Sequence, residues 1–239
     1  MNNIKILIKS IKYQFLMFFR IKQAVFFSIA FPVFLFIIFG NIWGFYDDYI
    51  PFVLTGVVAM TIASDGLFAV GPVIKEYYSN GLIKYLQKQP FNIIYHFLGL
   101  IFSRIISLFV VVLLLCLASV LFFNYYVSFS ELINYLLGVF IGLFIFSFLG
   151  LIFSFSSIKS TSEKGLVNLI YFVFLFTSSA FYPIKKFNKA IGEFGDYLPF
   201  NQILNILRGD KIQLYTLLIW IIIPPCIFYF IFNKIKTNR

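Results

Sequence analysis

Asp65 is a lone carboxylate in the middle of a long apolar run, within Thr61-Ile-Ala-Ser-Asp-Gly-Leu. A carboxylate near the centre of a bilayer costs about 2.5–3.5 kcal/mol on insertion scales, so it should face other helices or a water-filled cavity. Asp65 is therefore a candidate for contact with a cationic group along a substrate pathway. A structural hydrogen bond is the alternative, with Arg104 as one possible partner if that side chain does not reach the headgroups instead.

The sequence contains no recognisable set of catalytic or metal-binding side chains. His96 has no Cys-x-x-Cys pair or paired carboxylates with it, which favours a hydrogen-bonded histidine over a metal ligand. Cys116 and Cys226 lie inside apolar runs and are expected to be core thiols. The chain has no G-x-x-x-x-G-K-[ST] phosphate loop. We therefore expect no catalytic residue, metal or cofactor here, and no enzyme activity in this chain.

Composition identifies an integral membrane protein. Hydrophobic residues make up 61% of the 239 residues and charged residues 12%, against about 45–50% and 25% in soluble domains. The net charge of +10 does not indicate nucleic-acid binding, because the cations cluster at the ends of apolar runs. We expect an all-α membrane domain with lipid, and no nucleic acid, as a partner.

Six apolar segments approach the roughly 20 residues that a membrane-spanning helix needs. They are residues 24–42, 51–73, 97–123, 133–154, 166–183 and 212–233. Most Lys and Arg residues fall in alternate connections, and the opposite side carries only Lys185, Lys186, Lys189, Arg208 and Lys211. The positive-inside rule then predicts that both termini are cytoplasmic. The richness in Lys, Asn, Ile and Phe is typical of an AT-rich bacterial genome, and so of a bacterial cell membrane.

The predicted single domain covers residues 1–239 in five parts. Residues 1–23 form a basic amphipathic helix in the membrane surface, either an anchor or an element that moves with a cytoplasmic partner. Residues 24–183 hold spans one to five, and 184–211 form an outer segment. Residues 212–233 are span six, and 234–239 are a cytoplasmic tail.

Two connections carry specific signals. Between spans two and three, Asn80-Gly81 predicts a turn, and residues 82–89 predict a short amphipathic helix that Pro90 ends. This helix either contacts another protein or is an ordinary interfacial loop. After span five, Pro183 and Pro199 break the chain into short helices. These helices either dip into the outer leaflet as a gate or lie on the headgroups.

These segments resemble those of type-two ATP-binding-cassette (ABC) permeases. The first is Glu76…Gly81-Leu-Ile-Lys-Tyr-Leu86-Gln-Lys-Gln-Pro90. The second is Ser179-Ala-Phe-Tyr-Pro183…Leu198-Pro199-Phe200…Leu207-Arg208, with Ala180 where that family often has Gly. With the six-span order and the amphipathic N-terminal helix, the resemblance covers essentially the whole chain.

The resemblance implies a permease half that pairs with a second half, identical or different, and with a separate ATPase subunit that binds ATP and Mg. The residues that would couple to the ATPase are Glu76, Gly81, Leu82, Leu86 and Pro90. Residues 184–211 would be re-entrant helices, and the outer-gate candidates are Tyr182, Pro183, Pro199 and Arg208.

The expected function is ATP-driven export of amphiphilic substrates, such as a drug, an antimicrobial peptide or a lipid-like molecule. The rival is an ATPase-independent channel or a proton-coupled secondary carrier that uses Asp65.

Overall fold

The computed structural model describes residues 3–46, 48–89, 92, 94–156 and 160–237, and these ranges contain eleven helices and no strand. The helices are α1 Asn3–Arg20, α2 Lys22–Trp43, α3 Tyr49–Ser79, α4 Leu82–Gln87, α5 Ile94–Phe123, α6 Phe129–Phe155, α7 Ser160–Phe176, α8 Ile184–Phe187, α9 Lys189–Asp196, α10 Pro199–Arg208 and α11 Leu214–Thr237. Two of them contain a π-helical stretch, Phe26–Ala30 in α2 and Gly66–Val70 in α3. The prediction of an all-α membrane protein is confirmed.

Among the described residues, five helices are long and apolar enough to cross a membrane: α2, α3, α5, α6 and the Leu214–Asn233 part of α11. They correspond to five of the six predicted spans. Helix α6 begins at Phe129, before the predicted residue 133, because Ser128 and Glu131 form a capping box. Helix α11 continues to Thr237, so the predicted tail begins inside a helix.

The predicted fifth span, 166–183, begins within one residue of the apolar stretch Gly165–Phe176, but its predicted end is wrong. Helix α7 runs from Ser160 to Phe176, and its apolar part is shorter than the other spans. The hydroxyl of Thr177 donates to the Val173 carbonyl and that of Ser178 to the Leu175 carbonyl, at 2.6 and 2.7 Å, which closes the helix early.

Helix α7 nevertheless connects the two ends of the bundle. Its Tyr171 ring packs on Phe68 in the second half of α3. The turn after α7 packs on Gly56 near the start of α3. The end that contains α1, α4 and the last turn of α3 is called the basic end here. The end that contains α8, α9 and α10 is called the re-entrant end.

Helix α3 is the centre of the bundle. In its most apolar stretch 83% of residues are buried, against 17% in those of α2 and α11. Helices α2, α5, α6 and α10 all pack on it. The outer helices expose bulky apolar side chains, as is normal where the surrounding solvent is lipid. Any movement of α3 must therefore displace most of the other helices.

Helix α1 packs on α5 through one stripe of side chains at four-residue spacing, Ile6, Ser10, Gln14 and Phe18. The predicted N-terminal helix is confirmed, although it ends at Arg20 and not at residue 23. Ile4 and Ile8 are exposed together with the basic side chains. Such a surface, part apolar and part cationic, suits contact with lipid headgroups and the upper acyl chains.

Helices α3 and α6 approach closely where Gly71 meets the backbone of Gly150. A Gly71→Ala methyl would collide with that backbone, so we expect destabilisation by about 1–3 kcal/mol, as for overpacked cores. The melting temperature of the detergent-purified protein measures it. Gly165→Ala is the matched control, because its methyl would point into open space. Equal melting temperatures for the two variants would contradict this account of the crossing.

Candidate functional sites at the two ends of the bundle

At the basic end, α3 leads directly into a sharp turn and a short helix. Gly81 adopts φ +73°, a left-handed conformation that glycine accepts without strain. Helix α4 follows from Leu82 to Gln87. The predicted turn at Asn80-Gly81 and the predicted short helix are both present, with the helix two residues shorter than expected. Pro90 lies outside the described residues.

Helix α4 contacts the bundle on one side and leaves the other side open. Ile83 lines an apolar groove of about 310 Å³ with Phe97, Phe155 and other side chains of neighbouring helices. Leu82 and Leu86 are half-buried, whereas Lys84 and Lys88 are exposed and Tyr85 is 61% exposed. Glu76, one turn before the end of α3, is also exposed. A partner protein at this end would therefore meet an accessible helix attached to the central helix of the bundle.

At the re-entrant end, α9 and α10 form a helical hairpin within the bundle. Gln202 donates to the Asp196 carbonyl at 2.6 Å across the turn, and Lys185 pairs with the Asp196 carboxylate. Asn201 is buried, and its amide oxygen accepts from the backbone of Ser179 at 3.4 Å. The loop after α7 and the hairpin are therefore one connected unit.

Helix α10 descends along α6. Methyl groups built at Gly138 and Gly142 would meet Leu207 and Ile203, and the Phe200 ring lies 6.3 Å from the Phe146 ring. The start of α10 thus reaches about halfway along α6, while its end stays near the start of α6. Eight of its ten residues are buried. This burial favours the predicted re-entrant arrangement over a helix lying on the headgroups, and the position relative to the membrane stays a prediction.

Arg208, at the end of α10, ties the hairpin to the start of α3. Its guanidinium donates to the Thr55 hydroxyl at 3.0 Å and to the Phe52 carbonyl at 3.1 Å. It also donates to the Ser179 carbonyl at 2.8 Å and lies 4.0 Å from the centre of the Phe52 ring. One side chain therefore joins α3, α10 and the loop after α7.

The other gate candidates lie apart from Arg208. Tyr182 and Pro183 line an aromatic groove of about 850 Å³ with Trp43, Tyr49 and neighbouring side chains. Tyr182 also donates to the Phe176 carbonyl at 3.2 Å. Pro199 is buried at the start of α10, at the opposite end of that helix from Arg208. The structure thus places the four candidates in three positions around the hairpin.

Asp65 is buried and paired with Arg104. The distance from Oδ1 to Nη1 is 3.7 Å, and the two side chains are 3% and 12% exposed. The guanidinium of Arg104 also lies 5.0 Å from the centre of the buried Phe18 ring. Asp65 lines neither of the two grooves described above. Its role in a substrate pathway remains a prediction.

A polar contact between α1, α3 and α5 was not expected from the sequence. Gln14 donates to the Tyr77 hydroxyl at 3.0 Å and lies 3.4 Å from His96, which also approaches Ser10. His96 is hydrogen-bonded, as expected. The sequence feature that could have predicted this polar contact is the pair Ser10 and Gln14, which lie one turn apart on a mostly apolar and basic helix.

Replacing Arg208 by Lys should loosen the hairpin. A lysine cannot reproduce the planar fork that serves three acceptors, and buried carbonyls would lose their partners. We expect a loss of about 2–4 kcal/mol, measured as a lower melting temperature in detergent. Arg20→Lys is the matched control, because Arg20 is exposed. If the two variants lose equal stability, the anchoring role of Arg208 is excluded.

Comparison with known protein families agrees with this architecture. Residues 7–211 match the family described as ABC-2 type transporter, a range that runs from α1 to the residues just after α10. The comparison with curated proteins found no match. Because the matched range covers most of the 239 residues, the chain belongs to the ABC-2 type transporter family and is the multi-pass transmembrane part of an ABC-type transporter.

Proposed function

We propose that this protein is the transmembrane half of an ATP-driven exporter, coupled through α4 to a separate ATPase subunit. The observation that carries the proposal is the position of α4. It exposes Lys84, Tyr85 and Lys88, contacts the bundle on one side, and follows directly from the buried central helix α3. A push on α4 would therefore reach the centre of the bundle through the short turn at Gly81 and the length of α3.

The ATPase subunit would supply the nucleotide chemistry, since ABC-2 permeases normally work with such a partner. ATP and Mg would be bound there, and Glu76, Gly81, Leu82, Leu86 and Pro90 would form the contact surface. A second permease half, identical or different, would complete the pathway. ATP binding would then shift the population between two arrangements of the halves.

The opposite end of α3 supports a connection to an outer gate. Phe52 and Thr55, near the start of α3, hold Arg208 of the re-entrant hairpin. The helix that carries the coupling turn at one end therefore contacts the hairpin at the other. Movement of α3 would change the position of α10 and of the groove lined by Tyr182 and Pro183.

The aromatic groove supports an amphiphilic cargo. It combines an apolar wall of aromatic rings with the charged side chains of Lys186 and Asp48. Such a surface suits molecules with an apolar body and a polar group, which include drugs, antimicrobial peptides and lipid-like molecules. With both termini in the cytoplasm, this groove would lie on the outer side of a bacterial cell membrane, as export requires.

The coupling role predicts opposite results for two substitutions of Gly81. Gly81→Val forces a β-branched residue into the left-handed region, whereas Asn tolerates that conformation. In the complex with its ATPase, Gly81→Val and Leu86→Asp should reduce ATP turnover by about tenfold or more, which corresponds to about 1.4 kcal/mol. Gly81→Asn should retain most of it.

Lys189→Ala at the re-entrant end is a second control for this experiment. Undiminished ATP turnover in Gly81→Val and Leu86→Asp would exclude coupling through α4. Transport by the chain without any ATPase would instead support the channel or carrier.

The orientation predicts which end reacts from outside the cell. In a variant with Cys116 and Cys226 replaced by Ala, single cysteines at the exposed positions Lys84 and Lys186 report the two ends. A membrane-impermeant maleimide added to intact cells should label Lys186→Cys and not Lys84→Cys, and permeabilised cells should label both. Labelling of Lys84→Cys in intact cells would reverse the topology.

A further inference from the structure

The ion pair between Asp65 and Arg104 is incomplete. Nη1 of Arg104 lies 3.7 Å from Oδ1 of Asp65, and Asp65 Oδ2 and Arg104 Nε have no hydrogen-bond partner among the described residues. Burial of each ion costs several kcal/mol, and mutual attraction offsets this only when the geometry is good and the remaining polar atoms are satisfied. The pair therefore contributes little to the stability of this arrangement, and its presence needs another explanation.

The location of the pair suggests that explanation. Asp65 immediately precedes the π-helical stretch Gly66–Val70, where the hydrogen-bonding register of α3 changes. Insertions of this kind occur frequently at functional sites. Beyond the stretch, α3 continues without interruption to Ser79 and the turn at Gly81. Asp65 thus lies at the start of the part of α3 that carries the coupling segment.

Through Arg104, helices α5 and α1 also contact α3 near Asp65. Arg104 belongs to α5, and its guanidinium lies over the ring of Phe18 in the last turn of α1. Because the ring face attracts a cation, this contact holds Arg104 between α1 and α3. Asp65, Arg104 and Phe18 therefore join three helices.

The same three helices are joined again near the basic end. Gln14 of α1 contacts Tyr77 of α3 and His96 of α5. Asp65 and Tyr77 lie about 18 Å apart along α3, at 1.5 Å per residue. The stretch of α3 between them is consequently held against α1 and α5 at both of its ends.

We propose that Asp65 and Arg104 are a positioning pair that sets the place of residues 66–89, and so of α4, relative to α1 and α5. Asp65 acts through Arg104 and not by contact with cargo. The consequence for coupling depends on the proposed function, whereas the positioning itself is a property of this chain alone.

The test compares single and double neutral variants of the full-length protein in lipid nanodiscs. Asp65→Asn or Arg104→Gln leaves one buried group without its partner, so both single variants should melt at a lower temperature. The double variant Asp65→Asn/Arg104→Gln removes both charges, and such replacements are often neutral for stability. Its melting temperature should return to that of the wild type.

Hydrogen–deuterium exchange then separates positioning from stability. In the double variant, amides of residues 66–89 should exchange about tenfold faster than in the wild type, while α10 and α11 stay unchanged. Exchange in residues 66–89 at the wild-type rate would overturn the proposal and leave the pair a purely structural contact. Lys189→Gln/Glu193→Gln is the matched control, since it removes an exposed ion pair at the opposite end.

A second measurement distinguishes positioning from contact with cargo. In cells that also express the ATPase subunit, efflux of the cation ethidium and of the uncharged dye Nile red is compared. Positioning predicts that Asp65→Asn lowers both by the same factor. Loss of ethidium efflux alone would overturn the proposal in favour of cargo contact. Absence of efflux in the wild type would count against the proposed export, and the exchange experiment would still decide the role of the pair.

Discussion

The absence of water in the bilayer core is the constraint on which this structure depends. Every backbone polar group there needs a partner within the protein, so irregular chain is tolerated only where other groups satisfy it. Arg208 meets that need at the re-entrant end, where it donates to the carbonyls of Ser179 and Phe52. The chain can therefore leave helical structure after Phe176, dip inward and return.

The same constraint applies to α3, whose most apolar stretch is more buried than those of the other four long apolar helices and which contacts helices at both ends of the bundle. Its start holds the hairpin through Phe52 and Thr55, and its end becomes the turn at Gly81. Between them, Gly71 allows α6 to approach closely, and Asp65 is paired with Arg104. A single helix thus contacts both candidate functional sites, which makes mechanical coupling between the two ends physically reasonable.

Local signals predicted the elements whose ends are set by their own residues. The apolar runs predicted six spans, and five of these correspond to helices long and apolar enough to cross a membrane. Asn80-Gly81 predicted the turn before α4, because glycine accepts its left-handed backbone conformation without strain. The fifth span was misjudged because hydropathy continues past Phe176, whereas side-chain hydroxyls of Thr177 and Ser178 end the helix. Hydropathy does not register that competition for backbone carbonyls.

The sequence by itself determined that this chain is a bundle of apolar helices with basic connections, since span length and charge distribution follow from the cost of placing polar groups in lipid. It also placed Asp65 within an apolar run, as a residue in need of a partner. Only the tertiary structure decided that this partner is Arg104, that α10 descends along α6, and that Gln14 meets Tyr77. Those contacts join residues far apart in the chain, and their formation depends on how the helices pack and not on any local pattern.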